Sequence, residues 1–395
     1  MLKVSRVLTI SACAIATSLA APAPSTAAPP SPPALVYKTT SRAPVIPPSE
    51  AGLQTIVAEP WSSIMTSMPA FGGMEENLFI EGPVFDGQGN LLFVEVQGGR
   101  IMRISPKQEL KMILPKNGEG SAGLAFHKNG RIIVAAIGGI GGTQSGSIFS
   151  IRPDGSDKQI IVDPKAGHIP NDLAMDKEGG FYFTDFQGNN ADRTGGVYHV
   201  AADMKTITPI MTRMSMPNGI AISPDGKTLW VGEVGTGFLH RIDLMTPTQI
   251  SPVVGTTMRY HFVGATVDSL RVDADGNVYA ALAGEGRVMV FNPKGVPIGQ
   301  ILIPDRENGE FLFTTSMAIK PGTRELYILS SNYPGRSAKI HRAGAFAPAP
   351  TARREGRRRS AGDAQPGAHQ GGPLDRQPEP VYDTKPHVRL GENRL

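Results

Sequence analysis

Glu81, Asn171, Asn218 and Asp268 each stand eight residues before a glycine, in a chain where such glycines recur. The glycines are Gly89, Gly130, Gly179, Gly226, Gly276 and Gly322, and the same count reaches Ala122 and Thr314 in the two remaining repeats. Asn and Asp often satisfy their own backbone in turns, and the Asn-Gly pair at Asn218 is a common turn dipeptide. That explanation serves any one of the four, but not their common phase. Two carboxylates and two amides brought together away from water need a positive partner. A hard divalent cation meets that need. Calcium accepts about six to eight oxygens in loose geometry, which leaves room for water and substrate. Zinc prefers His and Cys, and magnesium demands a tighter octahedron. Ser269 offers either a further oxygen beside Asp268 or an ordinary strand hydrogen bond. Asp172, next to Asn171, suits holding a ligand or water from behind.

Residues so far apart in sequence meet only if their repeats are arranged around an axis. The turn glycines are separated by 41, 49, 47, 50 and 46 residues, and each turn is followed by a strand-like run such as "LLFVEV", "FYFTDF" or "TLWVGEV". A second set of strands, "GRIMRIS", "GSIFSIR", "GGVYHVA", "GFLHRID" and "GRVMVFN", alternates apolar and polar residues. Six β-rich repeats of this length predict an all-β fold, a six-bladed β-propeller, whose equivalent positions lie at one level around a central channel. The repeats span residues 51–345, and "LQTIVAEPW" (Leu53 to Trp61) is expected to supply a strand that closes the ring with the last blade.

The flanking segments have a different character. Residues 1–27 read as an export signal, with Lys3 and Arg6 before a short apolar run and small-residue cleavage patterns after it. The single cysteine, Cys13, lies in that run, and "ISAC" offers an alternative lipoprotein reading. After plain cleavage no cysteine remains, so no disulfide braces the mature chain. Residues 28–50 form a Pro-rich linker, and residues 346–395 form a basic tail too poor in apolar residues to fold by itself. No stretch is long and apolar enough for stable membrane insertion. The formal charge of +4 misleads, because Lys3, Arg6 and a tail with nine Lys/Arg against six Asp/Glu account for it. The repeat region is nearly neutral and carries no nucleic-acid footprint.

The motifs "EGPVFDGQGNLLFVEV", "PNDLAMDKEGGFYFTDF", "PNGIAISPDGKTLWVGE" and "VDSLRVDADGNVYAAL" make the chain resemble the senescence marker protein/gluconolactonase/luciferin-regenerating family of six-bladed propellers. "LQTIVAEPW", "GEGRVMVFNPKGVPIGQILIP" and "KPGTRELYI" resemble the calcium-dependent lactonases within it. The resemblance implies a catalytic calcium on Glu81, Asn171, Asn218, Asp268 and Ser269, with Asp268 as the proton-donating residue. It also implies a second, structural calcium near Thr143, Gln144, Gly146, Asp163, Ala166 and His168, of which Asp163 and Gly146 are the expected contributors.

The function expected is hydrolysis of a small lactone in a channel lined by residues such as Phe262, Phe313 and Met317, which serve equally as packing. The alternatives are phosphotriester hydrolysis on the same calcium, or a secreted calcium-binding propeller without turnover.

Overall fold

The computed structural model describes residues 43–72, 77–139, 145–264 and 266–346. The expected signal at 1–27, Cys13, the linker up to residue 42, Thr143, Gln144 and the tail from residue 347 lie outside the described residues. The chain divides into two units, Met1–Ala347 and Pro348–Leu395, and only the first contains described residues. Among the described residues no helix is long and apolar enough to cross a membrane.

Among the described residues of the first unit strands dominate, with three short 3-10 turns between them. Six inner strands, Ile80–Phe85, Ser121–Phe126, Pro170–Met175, Pro217–Ile222, Thr266–Val272 and Phe313–Ile319, each open an antiparallel hairpin. Their partners, such as Leu91–Glu95 and Phe181–Asp185, return through the turns around the recurrent glycines. The turn chemistry explains the repeat. Asp176 Oδ1 accepts the N–H groups of Glu178, Gly179 and Gly180 at 2.8, 2.7 and 2.8 Å, while Gly179 takes a φ of 103° that side-chain-bearing residues avoid.

Four sheets are separate, and the last two units merge into one nine-stranded sheet through the pair Ala283–Phe313. Each inner strand packs on the inner strand of the next unit, and Phe313–Ile319 packs on Ile80–Phe85, so the inner strands form a closed circle. The result is β-propeller-like. Apolar residues lie between sheets: Leu92 and Val94 of the first meet Val134 and Phe149 of the second, and Tyr182 of the third meets Leu229 and Val231 of the fourth. Burial on both faces explains why Leu91–Glu95 and Phe181–Asp185 are buried at every residue instead of alternating.

The segment from Leu53 to Trp61 divides its work. Gln54–Val57 adds a parallel strand to Pro297–Leu302, and Glu59–Met65 pairs antiparallel with Ser337–Gly344, the expected closure with the last unit. The packed body reaches beyond these strands at both ends. Glu50 is buried against Arg287, with Nη1 to Oε2 at 2.6 Å, and Phe346 is buried with its N–H donating to the Tyr279 hydroxyl at 2.9 Å.

Candidate metal centre

Each inner strand carries a local break in its register with its hairpin partner. The breaks fall between Glu81 and Val84, Ser121 and Gly123, Pro170 and Leu173, Pro217 and Ile220, Val267 and Leu270, and Thr314 and Ser316. A β-bulge inserts a residue, twists the strand and re-aims a side chain. Glu81, Asn171, Asn218 and Asp268 all lie at these bulges, each four residues before the end of its inner strand. Ala122 occupies the same place in the second unit. In the last unit that place belongs to Thr315. Counting back from Gly322 reaches Thr314 because Gly322 comes one position earlier in its turn, two residues after Lys320, than Gly226 does after Ser223. The Thr315 hydroxyl donates to the Ile80 carbonyl at 2.6 Å and fastens the last inner strand to the first.

The residue after each bulge position faces the neighbouring inner strand, and the space there is small. A Cβ on Gly82 would lie 2.3 Å from the Ala122 oxygen, on Gly123 2.6 Å from the Asn171 oxygen, and on Gly219 2.3 Å from the Asp268 oxygen. These glycines let the donor-bearing backbones approach one another. Glycine is used here for closeness rather than for a turn.

All four donors are buried, with 4 to 7% of their surface exposed, and Ser269 is buried beside them. Asn218 Oδ1 and Asp268 Oδ1 are shut off from solvent and have no hydrogen-bond partner. Burial drives the Asp268 carboxyl well above its ordinary range and the nearby Asp172 charge adds to this, while donation from Asn218 and from the Ser269 N–H opposes it. Glu81 is likewise raised, by burial first and then by the charges of Asp268 and Asp172, with Arg271 acting in the opposite sense. Among the described residues no three His, Cys, Asp or Glu side chains group as metal ligands. The set here has a different make-up, two carboxylates completed by two amides. Orphaned acceptors and mutually repelling carboxylates fit a hard, oxygen-seeking cation.

Asp172 and Arg271 were not both visible from the sequence pattern. Asp172 is 1% exposed; its Oδ1 accepts the Leu173 N–H at 2.9 Å, and its Oδ2 accepts from the Ile220 N–H at 3.4 Å and Arg271 Nη1 at 3.0 Å. It therefore stands between strands, behind Asn171. Arg271 stands out only against its equivalents in the register of the strands: where it stands, the other inner strands have Val84, Ala125, Ala174, Ala221 and Ala318.

The expected channel lining needs correction. Phe262 and Met317 are 3% and 0% exposed and belong to the core between sheets. Phe262 packs on Tyr260 and Phe291, and Met317 on residues such as Ile328 and Phe311. Phe313 alone of the three is half-buried, edge-on to Phe79 at 5.3 Å and beside Tyr333 at 5.5 Å, at the strand end where the donors lie.

The expected second ion has less to draw on. Asp163 is exposed and caps the 3-10 turn Pro164–Ala166, its Oδ1 accepting the Lys165 N–H at 2.9 Å. Gly146 donates its N–H to the His168 carbonyl at 2.7 Å, and a Cβ there would lie 2.1 Å from the Ala136 oxygen. Capping and close packing account for both residues without an ion. Asp163→Ala should therefore cost about 1 kcal/mol, as for a lost cap, and leave turnover unchanged. Melting curves across a calcium series check this; a loss that grows with calcium concentration would place an ion at Asp163.

A closed circle of bulged inner strands that carry buried oxygen donors defines a propeller-like protein. The chain belongs to the SMP-30/gluconolactonase/LRE-like family, whose region it matches over residues 79–332. It is 41% identical over 305 residues to the lactonase drp35 of Staphylococcus saprophyticus, covering 76% of this chain and 90% of that one. The Staphylococcus aureus lactonase drp35 has the same identity and coverage. Among solved structures it shares its fold with regucalcin of Agrobacterium tumefaciens, described as a calcium-binding protein, with a TM-score of 0.57 and 19% identity over 75% of this chain and 98% of that one.

Proposed function

We infer that the protein is a calcium-dependent lactone hydrolase built on a six-bladed propeller, exported by way of residues 1–27. One observation carries the reading: the two sealed, unpartnered acceptors, Asn218 Oδ1 and Asp268 Oδ1, within a buried set of two carboxylates and two amides. Family membership and the lactonase relatives support the substrate class, and the calcium-binding description of regucalcin supports the ion.

Glu81, Asn171, Asn218 and Asp268, with Ser269 beside them, would hold the cation. Bound there, calcium polarises an ester carbonyl and favours negative charge on its oxygen. Asp268 takes a proton from the attacking water as the water oxygen bonds to the carbonyl carbon. It returns that proton to the ring oxygen as the ring C–O bond breaks, which yields the hydroxy acid. Phe79, Phe313 and Tyr333 offer the ring an apolar wall.

The test is turnover of a lactone panel by the full chain with calcium, after chelation, and after calcium is restored. Activity should vanish on chelation and return with calcium. Activity that survives exhaustive chelation would sink the cation, and calcium binding without turnover of any lactone would leave a non-catalytic binding propeller.

A further inference from the structure

Five inner strands follow their bulge position with a small residue, Gly82, Gly123, Gly219, Ser269 or Ser316, and the sixth has Asp172. At the third place beyond the bulge, five strands have Val or Ala and the sixth has Arg271. These two exceptions meet. Arg271 Nη1 lies 3.0 Å from Asp172 Oδ2, although Asp172 belongs to the third unit and Arg271 to the fifth. The fourth unit lies between them and joins through the Ile220 N–H on the same carboxylate oxygen. One ion pair thus ties the three strands that carry Asn171, Asn218 and Asp268.

We propose that the Asp172–Arg271 pair is a charge-balancing and positioning device for the cation site: Asp172 braces the donor strands, and Arg271 cancels the third negative charge so introduced. The inference rests on the cation reading above. Bracing alone would not require an ion pair, since a neutral amide at position 172 could keep the Leu173 N–H bond at 2.9 Å through its one oxygen and lose only the long Ile220 contact at 3.4 Å. A lone carboxylate there would join Glu81 and Asp268 as a third buried negative charge. A lone guanidinium would repel the incoming cation. The side chains of Asp172 and Arg271 are 2% and 19% exposed, so water screens neither charge fully. Neither partner need touch substrate; both act through Glu81 and Asp268.

The experiment is a double-mutant cycle read by calcium titration calorimetry on the full chain, with melting temperatures alongside. Asp172→Asn keeps the shape and leaves Arg271 unbalanced, so calcium should bind about tenfold more weakly, the scale of one incompletely screened charge nearby. Asp172→Asn combined with Arg271→Met removes both charges and should return the dissociation constant to within about threefold of the parent. Arg271→Met alone should bind calcium more tightly but melt lower, because it strands a buried carboxylate. If that variant does not fold, the other two still decide. A double variant as weak as Asp172→Asn, or an Asp172→Asn protein that binds calcium like the parent, overturns the proposal. A parent protein that binds no calcium overturns the cation reading itself, and this inference with it.

Discussion

Asp268→Asn is expected to lower turnover about 100-fold or more at saturating calcium, the usual scale of lost general acid–base help. The amide keeps the shape and one ligand oxygen but cannot take a proton from water. Calcium should also bind more weakly, since one of two carboxylates is gone. Saturation separates the two effects. The parent's kcat/KM should show an acid limb, because the Asp268 carboxyl must be ionised to act as base. The variant should lose that acid limb. Near-normal turnover at saturating calcium would leave Asp268 as a ligand only, with the proton moved by another group.

Gly219→Ala should be nearly as damaging, although it adds a single methyl group. Its Cβ would lie 2.3 Å from the Asp268 oxygen, 2.5 Å from the Leu270 nitrogen and 2.7 Å from the Ser269 carbonyl carbon. All three are backbone atoms, so no side chain can rotate away. The strands of Asn218 and Asp268 must part, at a cost of about 3 kcal/mol or more for such overpacking. For a domain of this size that is roughly 10 °C in Tm, at about 2–4 °C per kcal/mol. Calcium affinity should fall with it. Gly344→Ala is the control: nothing lies within 4 Å of its Cβ, and its melting temperature should barely move. Equal behaviour of the two variants would refute the close-approach account.

The recurrent Gly turns and the shared phase of Glu81, Asn171, Asn218 and Asp268 were legible in the sequence, because turn chemistry and strand length repeat with the unit. The sixth position was misplaced by one, at Thr314 instead of Thr315, because a glycine marks a turn only to within a residue while strand pairing sets the register. Phe262 and Met317 could not be separated from channel residues by type, since apolar side chains fill both the space between sheets and a channel wall. The Asp172–Arg271 pair was beyond pattern reading for another reason. It joins residues 99 positions apart across an intervening strand, and only the closed circle brings them within reach.

The pairing of Glu59–Met65 with Ser337–Gly344 also bears on how the chain is made. A strand synthesised near the start must wait for nearly the whole chain before its partner exists. Until then it presents unpaired backbone, the kind of edge that recruits other chains. Contacts so distant in sequence slow folding, which leaves that edge unpaired for longer. Once Ser337–Gly344 arrives, it locks onto Glu59–Met65, and a chain cut short before residue 337 would have no means of doing so.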